Sequence, residues 1–247
     1  MAGSLRWIGH STVLVELDGV RLLTDPLLRE RIVMLRRSEP LDSSSLEDLD
    51  AVLISHIHYD HLDLRSLRRL QGAKTIVLPR GAGALLRRRL PASVVEVEAG
   101  EEVEIGSVTV RAVHAEHDST RLFGKRTEAL GYVVSGTRTV YFLGDTDLFP
   151  ALSGIAPRAD VALIPIWGWG PSLGTGHLDP RKAAEALALI RPRIAVPIHW
   201  GTYYPMTARK STRDFLRAPV AKFEKAAAEL APEVDVRVLP VGGTLEL

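Results

Sequence analysis

The sequence predicts an α/β protein in which two β-sheets are flanked by helices. Short apolar runs rich in Val, Ile and Leu recur along the whole chain, as they do in the strands of packed sheets. Early runs follow one another across tight links such as Asp18–Gly19, whereas segments with helical spacing lie between the later runs. The second half repeats this plan loosely, so we expect residues 1–247 to form a single domain built from two similar halves.

The predicted elements follow from apolar spacing. In chain order, the strand pattern covers Thr12–Leu17, Val20–Leu23, Ala51–Ile54, Thr75–Leu78, Val94–Val97, Val108–Val113, Leu130–Val134, Thr139–Leu143, Asp160–Ile166, Ile194–Ile198 and Val234–Leu239. The helical pattern covers the leucines from Leu62 to Leu70, then Ala84–Leu90, Pro180–Ile190 and Pro219–Leu230. Proline stands in the first turn of the Pro180–Ile190 segment, where the missing N–H of proline is tolerated.

One stretch, Leu27–Ser45, fits neither pattern and is predicted to be a long surface loop. It contains Arg29, Arg31, Arg36 and Arg37 around four apolar residues. Long loops in compact domains often carry function. The part from Arg29 to Glu39 is therefore either a solvated excursion or a lid over a substrate.

Composition excludes several classes of function. The chain has 31 basic and 30 acidic residues, a formal charge of +1, which does not favour nucleic acid as the main partner. It has no cysteine, so disulfides, iron–sulfur clusters and thiolate-bound zinc are excluded. Neither a signal pattern nor an apolar run of membrane-spanning length is present, and we expect a cytoplasmic protein.

A cluster of potential metal ligands directly follows one predicted strand. His56, His58, Asp60 and His61 come immediately after the run Ala-Val-Leu-Ile. Imidazole nitrogens and carboxylate oxygens are suitable ligands for Zn²⁺, Mn²⁺ or Fe when thiolates are absent. An exposed polar loop would not explain why such side chains crowd at the end of a strand.

Further ligands follow other predicted strands. His114 comes after Val108–Val113, Asp145 after Thr139–Leu143, and His199 after Ile194–Ile198. With the first cluster this makes seven ligands, which fits two ions that share one bridging carboxylate.

These residues resemble the signature of the metallo-β-lactamase superfamily. The run Ser55-His56-Ile57-His58-Tyr59-Asp60-His61 carries the resemblance, followed by His114, Asp145 and His199 in the order that the superfamily uses. Further motifs resemble the branch that contains N-acylphosphatidylethanolamine-hydrolysing phospholipase D and ascorbate-6-phosphate lactonase: Gly9-His10-Ser11-Thr12, Leu23-Thr24-Asp25-Pro26, Gly176-His177-Leu178-Asp179-Pro180 and Ile198-His199-Trp200-Gly201-Thr202.

The resemblance implies an αββα four-layer sandwich of the metallo-β-lactamase type, with metals at the ends of the sheets. It assigns His56, His58 and His114 to one ion. It assigns Asp60, His61 and His199 to the other, with Asp145 bridging. The sequence departs from the thioesterase and β-lactamase branches, where the third histidine stands in a Gly-His-Thr context, because His114 stands in Val-His-Ala-Glu-His.

Four residues are candidates for contact with substrate: His10, Tyr59, His117 and Trp167. His117 is also the alternative to His114 as third ligand. His10 could equally be a packed or capping histidine. Tyr59 stands between ligands and could orient their loop.

Asp60 and His177 are the candidate catalytic residues. Histidine titrates near neutral pH, so His177 could protonate a leaving group or steady a charged oxygen; the alternative is a structural role before the helix start at Asp179-Pro180. Asp63 and Asp147 are candidates for fixing ligand tautomers, or serve as a cap or surface charge.

The resulting prediction is a hydrolase in which two divalent metal ions, Zn²⁺ or alternatively Mn²⁺ or Fe, activate a hydroxide. The substrate would be a small or lipid-like anionic phosphodiester or lactone, since His177, the ions and the segment Arg29–Arg37 would make an electropositive mouth. The chain could act as a homo-oligomer. The alternatives are a di-iron redox protein and a metal-stabilised binding protein without catalysis.

Overall fold

The fold is taken from a computed structural model that describes residues 3–42, 46–70, 72–86, 90–121, 124–168, 173–207 and 215–247. In chain order the strands are β1 (Ser4–Gly9), β2 (Thr12–Leu17), β3 (Val20–Thr24), β4 (Arg31–Ile32), β5 (Leu35–Arg37), β6 (Ala51–Leu53), β7 (Thr75–Pro79), β8 (Ser93–Val97), β9 (Glu102–Ile105), β10 (Val108–His114), β11 (Leu130–Ser135), β12 (Thr139–Phe142), β13 (Val161–Pro165), β14 (Ile194–Ile198), β15 (Tyr203–Pro205), β16 (Asp235–Val236) and β17 (Thr244–Glu246). The helices are α1 (Leu64–Leu67), α2 (Leu152–Ile155), α3 (Pro180–Ile190) and α4 (Ala218–Leu230), with a 3₁₀ turn at Ala82–Leu85.

Two seven-stranded sheets form the body of the molecule. Their strand orders are β17-β1-β2-β3-β6-β7-β8 and β16-β14-β13-β12-β11-β10-β9. In the first sheet β1, β2 and β3 pair antiparallel, and β3, β6, β7 and β8 continue in parallel. The second sheet likewise pairs β9 to β12 antiparallel and continues in parallel through β13, β14 and β16.

The sheets pack face to face, with helices on their outer faces. Fully buried side chains of both sheets, including Leu5, Trp7, Tyr132 and Phe142, fill the space between them. A second cluster packs α3 and α4 onto one sheet, with Phe223 among its buried residues, and a third packs α1 and the 3₁₀ turn onto the other. This arrangement confirms the predicted αββα four-layer sandwich.

Helix α3 has the bounds that the sequence predicts, because its end signals are local. The Asp179 side chain accepts hydrogen bonds from the backbone N–H groups of Arg181 and Lys182, and Pro180 occupies the first turn. The segment around Leu62–Leu70 forms only the short α1, which Asp63 caps by accepting from the Ser66 N–H. None of the helices in the described ranges is long and apolar enough to cross a membrane.

Within the stretch Leu27–Ser45, predicted as a surface loop, residues 31–37 form a short β-hairpin, and residues 43–45 lie outside the described residues. Strands β4 and β5 pair with each other, and β5 pairs antiparallel with β15. Arg37 is buried: its Nη2 donates to the Ile8 carbonyl at 2.6 Å and its Nη1 to the Leu27 carbonyl at 3.1 Å. The hairpin, hereafter the β4–β5 hairpin, is thereby fixed to the body of the protein.

Candidate metal centre

The predicted ligands meet at one edge of the sandwich, where strands of both sheets end. The run from His56 to His61 follows β6, while Asp145 and His199 follow β12 and β14. His61 Nε2 and His199 Nε2 each lie 3.3 Å from Asp145 Oδ2. Six of the seven predicted ligands, all but His114, are brought together in this way.

Three histidine nitrogens form the first half of the centre. His58 Nδ1 lies 3.0 Å from His56 Nε2 and 3.2 Å from His117 Nε2. Three imidazole nitrogens that converge so closely suit one ion, since Zn–N bonds are about 2.0–2.1 Å. His117 therefore takes the place predicted for His114.

The other nitrogen of each ring is held by the protein, which leaves the converging nitrogen free to bind a cation. His117 Nδ1 donates to the Gly176 carbonyl at 2.7 Å. His56 Nδ1 lies 2.9 Å from Ser55 Oγ, which itself donates to Asp25, and His58 bonds to the backbone of Thr120. Such bonds fix tautomer and ring orientation in metal-ligating histidines.

The second half of the centre contains Asp60, His61 and His199, with Asp145 beside it. His61 Nε2 lies 3.5 Å from Asp60 Oδ2, and His10 Nε2 lies 3.0 Å from the same oxygen. The Asp145 Oδ1 is buried and accepts no hydrogen bond from the described residues. A buried carboxylate oxygen without a donor is costly unless a cation binds it, so these residues fit a metal ion.

Asp25 supports this half through hydrogen bonds to His61 and Ser55. Its Oδ2 accepts from His61 Nδ1 at 2.7 Å, and its Oδ1 accepts from the Ser55 N–H at 2.7 Å. Asp25 thus orients two neighbouring parts of the centre. We did not predict this role from the sequence, although Asp25 stands in the Leu-Thr-Asp-Pro motif.

The electrostatics separate neutral imidazoles from ionised carboxylates. Burial lowers the pKa of His56 well below its usual value and also lowers the pKa values of His58 and His117. Burial works to raise the pKa of Asp145, but the adjacent His199 and His61 outweigh it and hold that pKa well below its usual value. The centre therefore offers lone pairs and negative charge, as a cation requires.

The pKa of His61 is shifted in the opposite direction. Burial works to lower its pKa, but the carboxylates of Asp145, Asp60 and Asp25 outweigh burial and raise the pKa well above its usual value. A positive charge is therefore favoured at this position between three carboxylates.

The structure places His114 away from the other predicted ligands. Its side chain is 48% exposed and faces Glu116 and Glu128, at 3.4 Å and 3.6 Å. The chain runs on for three residues to His117, in a loop tied to the Asp145 loop by the bond from the Glu116 N–H to Thr146 Oγ1 at 2.9 Å. In this loop His117, rather than His114, lies beside the other ligands.

The remaining predicted residues occupy different places around the centre. His10 is buried against Asp60, and His177 Nε2 lies 3.7 Å from Asp145 Oδ2. Tyr59 is exposed beneath the Arg121 guanidinium, 3.9 Å from the ring centroid, in keeping with a role in orienting its loop. Trp167 lines a cavity described below.

The two candidate supporting carboxylates do not touch the ligands. Asp63 caps α1, which was its alternative interpretation. Asp147 accepts from Lys182 Nζ at 2.7 Å and 2.9 Å and from the Gly176 N–H at 3.2 Å. Asp147 therefore braces the loop whose carbonyl holds His117 and which carries His177.

Three residues of the centre have a strained backbone. His10, Asp25 and His199 have φ values of 55°, 31° and 61°, in the left-handed region that non-glycine residues seldom adopt. Gly144 has a φ of 65°, and a Cβ atom there would lie 2.6 Å from the Leu130 carbonyl oxygen. Only glycine allows the Asp145 loop to pass so close to β11.

Comparison with known proteins identifies the family. Residues 20–200 match the beta-lactamase superfamily domain. The chain belongs to the beta-lactamase superfamily. The match includes every convergent ligand named above, and it confirms the resemblance seen in the sequence.

Relatives within the superfamily span the chain. A UPF0173 protein of Pyrococcus abyssi is 32% identical over 87% of this chain and 91% of its own length. A UPF0173 metal-dependent hydrolase of Caldivirga maquilingensis is 30% identical over 99% and 98%. An N-acyl-phosphatidylethanolamine-hydrolyzing phospholipase D of Caenorhabditis elegans is 32% identical over 80% of this chain and 63% of its own.

Solved structures with the same fold agree with this architecture. Igni18, a metallo hydrolase from Ignicoccus hospitalis, matches 100% of this chain and 99% of its own with a TM-score of 0.74 and 24% identity. CmlA, a diiron β-hydroxylase from Streptomyces venezuelae, matches 99% of this chain and 54% of its own with a TM-score of 0.76 and 19% identity. At these identities the likeness concerns the fold.

A cavity of about 1020 Å³ opens beside the centre of this superfamily member. His177 and Trp167 are among its lining residues. Its walls come from the β4–β5 hairpin, β15, α3 and α4, and include the apolar side chains Leu35, Leu173, Tyr203, Pro205 and Phe215. This volume is at the upper end of what small-molecule sites occupy.

The charged residues of the cavity correct the predicted source of positive charge. Cationic lining comes from α3 and α4, through Arg181, Lys182, Lys222 and Lys225, against Asp179 and Glu229. Arg37 is buried in the body, and Arg36 lies over the Tyr204 ring, 5.4 Å from its centroid. The lining therefore contains four cationic and two acidic side chains, and the arginines of the hairpin are not among them.

Proposed function

We propose that the protein is a metal-dependent hydrolase with two divalent ions, held by the convergent histidines and carboxylates, and that it cleaves an anionic ester-type substrate. The observation that carries the proposal is the set of three imidazoles with fixed tautomers beside two ionised carboxylates, next to a large cavity. In this proposal His56, His58 and His117 hold one ion, Asp60, His61 and His199 hold the other, and Asp145 lies between them.

The residues of the chain have separate tasks in this reaction. When bound, two divalent ions supply Lewis acidity and lower the pKa of a water molecule toward neutrality. In this proposal Asp60 is a ligand, and its carboxylate also accepts a hydrogen bond from the His10 Nε2–H. Burial lowers the pKa of His10 to about 3 and so keeps its ring neutral. His10 therefore positions the Asp60 carboxylate.

His177 stands between the centre and the cavity, where it can serve substrate directly. Its Nε2 lies 3.7 Å from the Asp145 carboxylate and its ring packs edge-on against His117, with centroids 4.7 Å apart. We assign it the task of giving a proton to the leaving oxygen or of holding a charged substrate oxygen.

The cationic wall of the cavity favours an anionic substrate. Lys182 is neutralised by its bonds to Asp147, whereas no ion pair among the described residues involves Lys222 or Lys225. Two lysines facing a cavity with apolar walls suit a phosphate or carboxylate carried on an apolar body. Phosphodiester cleavage and lactone opening both fit this description, with phosphodiester cleavage slightly favoured.

We expect the purified, metal-loaded protein to hydrolyse an aryl phosphodiester and a phosphorylated sugar lactone with higher kcat/KM than a neutral lactone. An aryl phosphomonoester completes the panel. The double variant Lys222→Gln/Lys225→Gln should raise KM for the anionic substrates about tenfold while kcat changes little, since the lysines lie away from the ligands. Lys74→Gln, on an exposed lysine outside the cavity, is the matched control.

A higher kcat/KM for the neutral lactone, unchanged in the double lysine variant, would contradict the anionic-substrate proposal. Metal binding without any turnover would favour a binding protein. Consumption of dioxygen without hydrolysis would favour the di-iron alternative.

The proposal that His117 is the third ligand can be tested by metal content. His117→Ala should leave close to one ion per chain where the wild type holds two, because one site loses one of three nitrogens. The affinity of that site for its metal ion should fall by more than about 100-fold, because loss of a residue that only supports a ligand already costs up to about 100-fold. His114→Ala is the matched control and should keep both ions, as measured by inductively coupled plasma mass spectrometry. The reverse result would restore His114 as the ligand.

A further inference from the structure

The tip of the β4–β5 hairpin presents two large apolar side chains to solvent. Val33 is 82% exposed and Met34 is 62% exposed, the highest values among the exposed large apolar residues in the described ranges. Adjacent exposed residues of this kind are unusual on a soluble surface and commonly mark an interaction site.

Local structure does not account for valine at this position. Ile32 pairs with Leu35, so Val33 and Met34 form a two-residue turn, and Val33 has a φ of 49°. Glycine is favoured at a turn position with positive φ, and a β-branched residue there is strained. Since the Val33 side chain is neither buried nor suited to the turn, neither packing nor turn geometry explains a valine at this position.

The tip is hydrogen-bonded to the end of β15, and further exposed apolar residues lie there and at the cavity. The Met206 N–H donates to the Met34 carbonyl at 2.9 Å, which fixes the tip to the end of β15. Met206 and Phe215 are also partly exposed, and Phe215 lines the cavity together with Leu35. We call Val33, Met34, Met206 and Phe215 the apolar rim, because they extend from the hairpin tip to the mouth of the cavity.

Positive charge flanks the apolar rim. Arg31 and Arg36 face each other across the hairpin, directly behind the tip, and both are exposed. The neighbouring Glu30 turns its carboxylate toward the Leu41 N–H, at 3.4 Å. An apolar tip flanked by two arginines is complementary to a surface with anionic groups over an apolar interior.

We propose that the apolar rim docks the protein onto an anionic lipid surface, with Val33 and Met34 entering the acyl boundary and Arg31 and Arg36 contacting the headgroups. Docking in this way would face the cavity mouth toward the surface. A second copy of the chain is the less favoured occupant, because tip-to-tip pairing would bring four arginines together. This proposal goes beyond hydrolysis and holds whether or not the assigned chemistry is correct.

The test is co-sedimentation of the full chain with vesicles of phosphatidylcholine alone or with phosphatidylglycerol added. Wild-type protein should bind the anionic vesicles and bind neutral vesicles at least tenfold more weakly, with binding that weakens as salt is added. Val33→Gly/Met34→Ser should lower the partition coefficient for anionic vesicles at least tenfold. Because glycine suits the turn, this variant should fold as well as the wild type, as circular dichroism can verify.

Two further variants separate the contributions. Arg31→Gln/Arg36→Gln should remove most of the difference between anionic and neutral vesicles. Leu189→Ser, an exposed leucine on α3 and thus outside the apolar rim, is the matched control and should bind as the wild type does. Hydrolysis of a water-soluble aryl phosphodiester should be unchanged in all three variants, so loss of docking and loss of catalysis are read separately.

Equal binding by the wild type and the tip variant, or no binding of the wild type to anionic vesicles, would overturn the proposal. A concentration-dependent dimer that sedimentation velocity detects in the wild type, and that Val33→Gly/Met34→Ser abolishes, would assign the rim to a second copy instead.

Discussion

Asp145→Ala is expected to abolish hydrolysis and to lower the metal content of the protein while leaving its fold intact. One Asp145 oxygen lies 3.3 Å from nitrogens of both His61 and His199, and the other is buried without a donor among the described residues. Removing the carboxylate takes away the group that we place between the two ions. Activity should fall by more than about 100-fold, which is more than the loss of a residue that only hydrogen-bonds to a ligand costs.

The measurement combines metal analysis with turnover. Asp145→Ala should lose one or both ions after dialysis against buffer without metal, and its kcat/KM should not recover fully when metal is added. Asp235→Ala, which removes a surface carboxylate paired with Arg237, is the control and should match the wild type. Two ions per chain and wild-type turnover in Asp145→Ala would rule out the bridging assignment.

Features that depend on neighbours in sequence were the ones that could be predicted. Strand β14 and helix α3 have the predicted bounds, since an uninterrupted buried run and a Asp-Pro start are local signals. The ligands from His56 to His61 were found in the same way. Their positions after a buried strand indicated both a metal centre and its place at the edge of a sheet.

Features that depend on distant contacts were missed. The loop that carries His117 is held by a bond between Glu116 and Thr146, 30 residues apart, and His117 itself bonds to the Gly176 carbonyl, 59 residues away. The β4–β5 hairpin is completed by β15, whose residues come more than 160 positions later. Asp25 reaches His61 only because β3 and β6 pair in parallel. No local periodicity reports such contacts.

Strand β1 was not predicted, although the sequence contains the pattern of a strand there. Leu5 and Trp7 alternate with polar residues and are buried between the sheets. Its pairing with β17 joins the two ends of the chain.

Arg37→Met is expected to destabilise the protein. The guanidinium is buried and donates to the carbonyls of Ile8 and Leu27 and to the Tyr203 hydroxyl, the last at 3.3 Å. Methionine fills a similar volume but has no donor, so the Ile8 carbonyl loses the guanidinium at 2.6 Å, whereas the Leu27 carbonyl still accepts from the Tyr203 hydroxyl at 3.3 Å. An unsatisfied buried group costs about 1–3 kcal/mol, and we expect the free energy of unfolding to fall by about that amount.

The adjacent arginine provides the control. Arg36 is exposed and contacts the Tyr204 ring, a contact worth about 0.5–1 kcal/mol at an exposed site, so Arg36→Met should change stability by no more than that. Urea unfolding followed by circular dichroism gives both values. Since Ile8 lies two residues before His10, Arg37→Met should also loosen the Asp60 side of the centre and weaken metal binding, whereas Arg36→Met should not. Equal stability of the two variants would mean that the buried guanidinium does not anchor the hairpin to β1.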